Sequence, residues 1–128
     1  MSIMTKKRPK NLDLTTIKLP VPGIVSILHR VSGALLFLIG VPLLLITLQS
    51  VLGNPSDFQI IQTLYDNFLI KLVLIIILWS FLHHFCAGIR YLLLDMHIGI
   101  ELAGARLSSM VVLAVSIILT VLFGVKLW

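Results

Sequence analysis

Between Arg30 and Asp57 lie twenty-six residues without a charged side chain, more than half of them Leu, Ile, Val or Phe. Two further uncharged stretches follow, eighteen residues between Lys71 and Arg90 and nineteen between Arg106 and Lys126. A helix needs ~20 apolar residues to cross ~30 Å of hydrocarbon at ~1.5 Å per residue, so each stretch with its flanking turn is long enough to span a bilayer. The alternative of one buried soluble core fails on composition. The 128 residues are 59% hydrophobic and 12% charged, whereas a soluble domain is about half apolar and roughly a quarter charged. Disorder is excluded by the same figures. The pattern therefore predicts an all-α integral membrane protein with three transmembrane helices over 24–52, 67–94 and 106–127. Residues 1–23 form an N-terminal segment and 24–128 a single transmembrane domain, with no repeat and no second domain.

Local signals mark the ends of these spans. Pro20, Pro22 and Gly23 precede the first, Gly53-Asn54-Pro55 stops it, and Asp66-Asn67 offers an N-cap to the second. Phe58, Ile61 and Leu64 recur every third residue between those marks and suggest a short interfacial helix. Pro42 should bend the first span and free a carbonyl.

Charge sets an orientation. Up to residue 30 the chain carries Lys6, Lys7, Arg8, Lys10, Lys18 and Arg30 against Asp13 alone, and beyond it Lys71, Arg90, Arg106 and Lys126 balance Asp57, Asp66, Asp95 and Glu101. All of the formal net charge of +5 thus sits at the N-terminus. In a membrane protein that excess places the N-terminus in the cytoplasm, the 53–66 loop outside, the 95–105 loop inside and Trp128 outside. A nucleic-acid-binding arm is disfavoured, since no aromatic residue interleaves with the lysines. No short apolar run with a small-residue cleavage pattern marks a signal peptide. Cys86 is the only cysteine, so a metal in this chain would rest on histidine.

Polar residues inside a membrane span are costly and face a partner or a cavity, which makes them the informative ones. Ser26, Arg30 and Gly33 follow i, i+4, i+7 on the first span and share a face, with His29 beside them. This face can hold an anion or a carbonyl ligand at the cytoplasmic boundary, or it can simply snorkel to the headgroups. On the second span, His84 is six residues before Arg90, ~9 Å deeper if Arg90 lies at the interface. Gly88 and Ser80 flank it one turn to either side, small residues beside which a flat group or another helix can approach. A buried neutral histidine bonded to a neighbouring helix and an axial ligand of haem iron are both compatible with His84. Adjacent His83 and His84 diverge by ~100° and cannot both reach one iron. No catalytic triad, carboxylate pair, phosphate loop or zinc motif is present, so chemistry confined to this chain is disfavoured. A haem-free structural or transport-type bundle with histidines paired between helices is the alternative to cofactor holding.

The run RPKNLDLTTIKLPVPGIVSILHRVSG, Arg8 to Gly33, then three spans and HFCAGIRYLLLD at the end of the second, resembles the cytochrome b membrane-anchor subunit of succinate dehydrogenase, respiratory complex II. The likeness extends over nearly the whole chain and rests on two motifs, RPxNLDL with SxxHRxSG and HxxxGIRxxxxD. It implies that His84, which opens the second motif, is the axial ligand of haem b, and that the second ligand comes from a second small anchor subunit packed with this one into a helical bundle. It also implies that Ser26 and Arg30 bind ubiquinone and that His29 with Arg30 lies near the haem propionates. Flavin and iron–sulfur clusters would reside in a flavoprotein subunit and an iron–sulfur subunit docked on the cytoplasmic face of a bacterial inner membrane. Electrons would then pass from succinate to quinone. One departure is visible: many relatives have histidine after GIR, where this chain has Tyr91.

Overall fold

The computed structural model describes residues 16–127. The expected segment 1–23 is therefore described only from Thr16 onward, and the RPxNLDL motif and Trp128 lie outside the described residues. Five α-helices and one π-helical turn make up the fold: α1 Val21–Leu35, the π turn Leu36–Gly40, α2 Val41–Leu52, α3 Pro55–Tyr65, α4 Phe68–Asp95 and α5 Leu102–Leu127. Among the described residues there is no strand. Three helical stretches are long and apolar enough to cross a membrane, Val21–Leu52, Phe68–Asp95 and Leu102–Lys126. The chain is an all-α, multi-pass membrane fold.

The starts of the spans differ from the sequence expectation. Pro20 is the N-cap of α1, so Pro22 and Gly23 lie inside its first turn and do not precede it. A proline there loses nothing, because the first N–H groups of a helix have no intrahelical acceptor. Likewise α5 begins at Leu102, four residues before the expected start, and the loop shrinks to a tight turn with His97 and Gly99 at positive φ, 62° and 73°. Asn67 caps α4 as expected, its side chain accepting from the Leu69 N–H at 2.9 Å.

Pro42 acts one turn earlier than a simple kink would. The chain widens into the π turn Leu36–Gly40 immediately ahead of it, and the Val41 N–H reaches back five residues to the Leu36 carbonyl. Proline has no N–H to continue the ladder, and the wider turn absorbs the missing donor without breaking the helix. The short helix suggested by Phe58, Ile61 and Leu64 is α3. It is tied to α2 by a hydrogen bond between the Tyr65 and Thr47 hydroxyls.

The bundle is built around α4, which packs against both α1 and α5. Its buried stripe is Ser80, His83, Ala87 and Arg90. Facing it are Val25 and Ser32 on α1 and Ser109, Val112, Ser116 and Thr120 on α5, all buried. Large side chains such as Phe37, Leu44, Phe81, Ile89, Leu107 and Phe123 point outward. This inversion of the soluble pattern follows from the solvent. In lipid, bringing leucines together gains little, and helices associate through small residues and hydrogen bonds.

Arg90 is part of that interior, at 5% exposure, and does not sit free at the interface. Its Nε donates to the Ser108 hydroxyl at 3.0 Å and its Nη2 to the Ala105 carbonyl at 3.3 Å, fastening the C-terminal end of α4 to the N-terminal end of α5. The Ser108 hydroxyl in turn donates to the Ala105 carbonyl at 3.2 Å.

Candidate functional site

The two adjacent histidines of α4 have different surroundings. His83 points into the three-helix interior and is fully buried. Its ring stacks on Trp79, with centroids 5.2 Å apart, and its Nδ1 lies 3.4 Å from the Ser116 hydroxyl. That hydroxyl donates to the Leu113 carbonyl at 3.0 Å, so it accepts from Nδ1.

His84 turns to α1. Its Nδ1 lies 3.0 Å from the His29 carbonyl oxygen and 3.4 Å from the Ser32 hydroxyl, which itself donates to that carbonyl at 2.9 Å. A carbonyl only accepts, so Nδ1 carries the proton and Nε2 of the neutral ring bears the free lone pair. The His29 ring stacks on His84 with centroids 4.1 Å apart and planes 11° from parallel. Of the two glycines beside the pair, Gly33 is the one this approach requires. A Cβ on Gly33 would come within 2.9 Å of His84 Cε1, and one on Gly88 would meet His29 Nε2 at an ordinary 3.9 Å.

The expected face of α1 is only partly assembled by the chain itself. His29 and Gly33 are brought against His84, while Ser26 is half-buried and Arg30 exposed, with no hydrogen bond or ion pair to another described residue. Ser80, expected beside His84, belongs instead to the interior stripe with His83, its hydroxyl unpartnered. Ser32, which supports the His29 carbonyl, was not singled out from the sequence; Gly33, which admits the His84 ring, and Tyr91, which packs against His29 at a centroid distance of 5.1 Å, were named there without these contacts. The i, i+4, i+7 relation of His84, Gly88 and Tyr91 is the signal that places Tyr91 on this stripe.

A groove of about 470 Å³ lies elsewhere, between α4 and α5, lined by Cys86, Ile89, Leu93, Leu107 and Val111 with Arg90 at its polar end. These α4 residues are on the face roughly opposite His84, so the groove is separate from the histidine pair.

A half-buried imidazole whose one nitrogen proton is held by a backbone carbonyl keeps its other nitrogen able to ligate a metal centre. The sequence profile of the succinate dehydrogenase/fumarate reductase transmembrane subunits matches residues 4–123. The chain belongs to this family. It is similar to the succinate dehydrogenase cytochrome b556 subunit of Coxiella burnetii, 40% identical over 126 residues that cover 98% of this chain and 100% of that one. The cytochrome b556 subunit of Paracoccus denitrificans is 30% identical over 115 residues, 90% of this chain and 88% of its own. The mitochondrial cytochrome b560 subunit of Dictyostelium discoideum is 29% identical, covering 94% of this chain and 63% of its own. As a succinate dehydrogenase/fumarate reductase transmembrane subunit, the chain is one member of a larger membrane assembly.

Proposed function

We propose that this subunit anchors a succinate:quinone oxidoreductase, holds haem b through His84 and forms part of the ubiquinone site with Ser26 and Arg30. The observation that carries the reading is the His84 Nδ1–H bond to the His29 carbonyl, which leaves Nε2 as the ligating atom. Neutral imidazole oriented in this way is what an axial haem ligand requires. When bound, the haem supplies a one-electron carrier. His29 and Arg30, one turn deeper than Ser26 on α1, hold the propionates, for which a fixed guanidinium is suited. The Ser26 hydroxyl and the Arg30 guanidinium donate to a quinone carbonyl, and neither has a hydrogen bond or ion pair to another described residue. A second small anchor subunit would complete the haem site and cover the polar side of α1 and α4. An iron–sulfur subunit and a flavoprotein subunit dock on the cytoplasmic side and deliver electrons from succinate. The basic excess before residue 31 supports a cytoplasmic N-terminus in a bacterial inner membrane.

The test is the visible spectrum of the purified complex. Soret and alpha bands of a b-type haem are expected in the unaltered complex and lost or displaced in His84→Ala, while reduction of a soluble acceptor by succinate persists. A complex that contains this chain but shows no such bands removes the haem assignment.

A further inference from the structure

The groove between α4 and α5 has no part in the histidine site. It holds about 470 Å³ and runs from the turn at Gly99 and Gly104 to Val115. From Gly104 to Val115 the axis of α5 advances ~16 Å at ~1.5 Å per residue, about half of a ~30 Å hydrocarbon core and so the depth of one leaflet. Ile89 and Leu93 on α4 face Leu107, Val111 and Val115 on α5 across it. Each of these apolar side chains is more than a third exposed, so the groove opens on the outer surface of the bundle.

One charge borders this apolar space. Arg90 lines the groove close to the turn, and it is 5% exposed. A guanidinium carries five N–H donors, and the bonds to the Ser108 hydroxyl and the Ala105 carbonyl engage only Nε and Nη2. Both partners are neutral, and among the described residues no carboxylate pairs with Arg90. A cation within a span is paired as a rule, because its charge is costly there. Gly99 and Gly104 place no side chain at this end of the groove, which leaves room for a headgroup beside the guanidinium.

We propose that the groove binds an anionic phospholipid, with one acyl chain lying between α4 and α5 and the phosphate at Arg90. The length of the groove matches the chain, and the unbalanced guanidinium matches the charge. Basic pockets between transmembrane helices take anionic headgroups for this reason. A zwitterionic lipid brings its own ammonium and leaves the Arg90 charge unbalanced. In the orientation proposed above, the turn end is cytoplasmic, so the lipid belongs to the cytoplasmic leaflet. The haem assignment plays no part in this inference.

The experiment uses the purified whole complex and a phosphatidylglycerol that carries a diazirine in one acyl chain. Illumination should label the α4 and α5 peptides that line the groove. Unlabelled phosphatidylglycerol should compete about fivefold to tenfold better than phosphatidylcholine of the same chains, the preference expected of one basic residue near the membrane surface. Inorganic phosphate should not compete, since the groove holds the chain as well as the headgroup. Arg90→Gln should abolish the preference for phosphatidylglycerol. Because that substitution also alters a tie between the helices, Val111→Trp serves as a second variant. It fills the groove from a half-exposed position, keeps Arg90, and should suppress labelling of both helices. Equal competition by the two lipids, competition by inorganic phosphate, or undiminished labelling in Val111→Trp would overturn the proposal.

Discussion

His84 lies so close to Gly33 that a Cβ there would be 2.9 Å from its Cε1 atom. The atom is part of a rigid ring that is also bonded to the His29 carbonyl and stacked on the His29 ring, so it cannot yield as the end of a flexible side chain would. Gly33→Ala should therefore push α1 and α4 apart or rotate the imidazole. Overpacking of this kind costs about 1–3 kcal/mol, and the expected readout is reduced haem content or a displaced alpha band in the purified complex. Gly88→Ala, whose Cβ would make only an ordinary 3.9 Å contact with His29 Nε2, should be tolerated. Equal haem content in the two variants would show that the His84 position does not depend on this contact.

The neighbouring histidines should separate by kind of damage. His84→Ala removes a ligating nitrogen and is expected to lose or shift the haem spectrum with modest effect on the bundle. His83→Ala leaves a void under Trp79 and frees Ser116, a core loss of roughly 2–4 kcal/mol. It should lower the thermal midpoint of the complex while the assembled fraction keeps an unshifted spectrum. Loss of haem from His83→Ala, with His84→Ala spectrally silent, would put the ligand one residue earlier.

The positions of the spans were legible because hydropathy integrates over twenty residues, and uncharged runs such as 72–89 leave no other solvent for the chain. The divergence of the adjacent histidines was legible, since ~100° between His83 and His84 turns their rings to different neighbours. What the runs did not reveal is which face of each helix turns inward. Apolar side chains cover all sides, so the period that marks an amphipathic helix in water is faint. The usable signal was the polar one: Ser109, Ser116 and Thr120, seven and four residues apart, mark the buried face of α5. The starts of α1 and α5 were misplaced for a related reason. Proline and charge were read as boundaries, yet Pro22 is accommodated in a first turn and Arg106 on a helix end that water can reach.

Alone, this subunit should not give a stable, haem-loaded monomer. Arg30, the open Nε2 side of His84 and the half-buried Ser26 lie on a side of α1 and α4 that no described residue covers. Expression without partner subunits should yield aggregated or degraded protein, and co-expression should restore both abundance and haem. Recovery of a monodisperse monomer with a six-coordinate haem spectrum would show that the chain is self-sufficient.

The polar face of α1 gives the test closest to turnover. As a quinone is reduced, negative charge grows on its carbonyl oxygens, so a hydroxyl and a guanidinium beside them stabilise the reacting state more than the ground state. Ser26→Ala removes one donor and should slow succinate-to-quinone turnover about 10-fold to 100-fold, the range expected for losing ~1–3 kcal/mol of hydrogen bonding to a charged group. Arg30→Lys keeps the charge as a point but not the planar fork, and should retain only part of the activity. Arg30→Leu should lose more and loosen the haem as well, because the same guanidinium is assigned to a propionate, which makes Ser26→Ala the cleaner variant. In all three, electron transfer from succinate to a soluble acceptor should be intact, since that route leaves the complex before the membrane. Full quinone reduction by a well-assembled Ser26→Ala, Arg30→Leu double variant would mean that this face only anchors α1 at the headgroups.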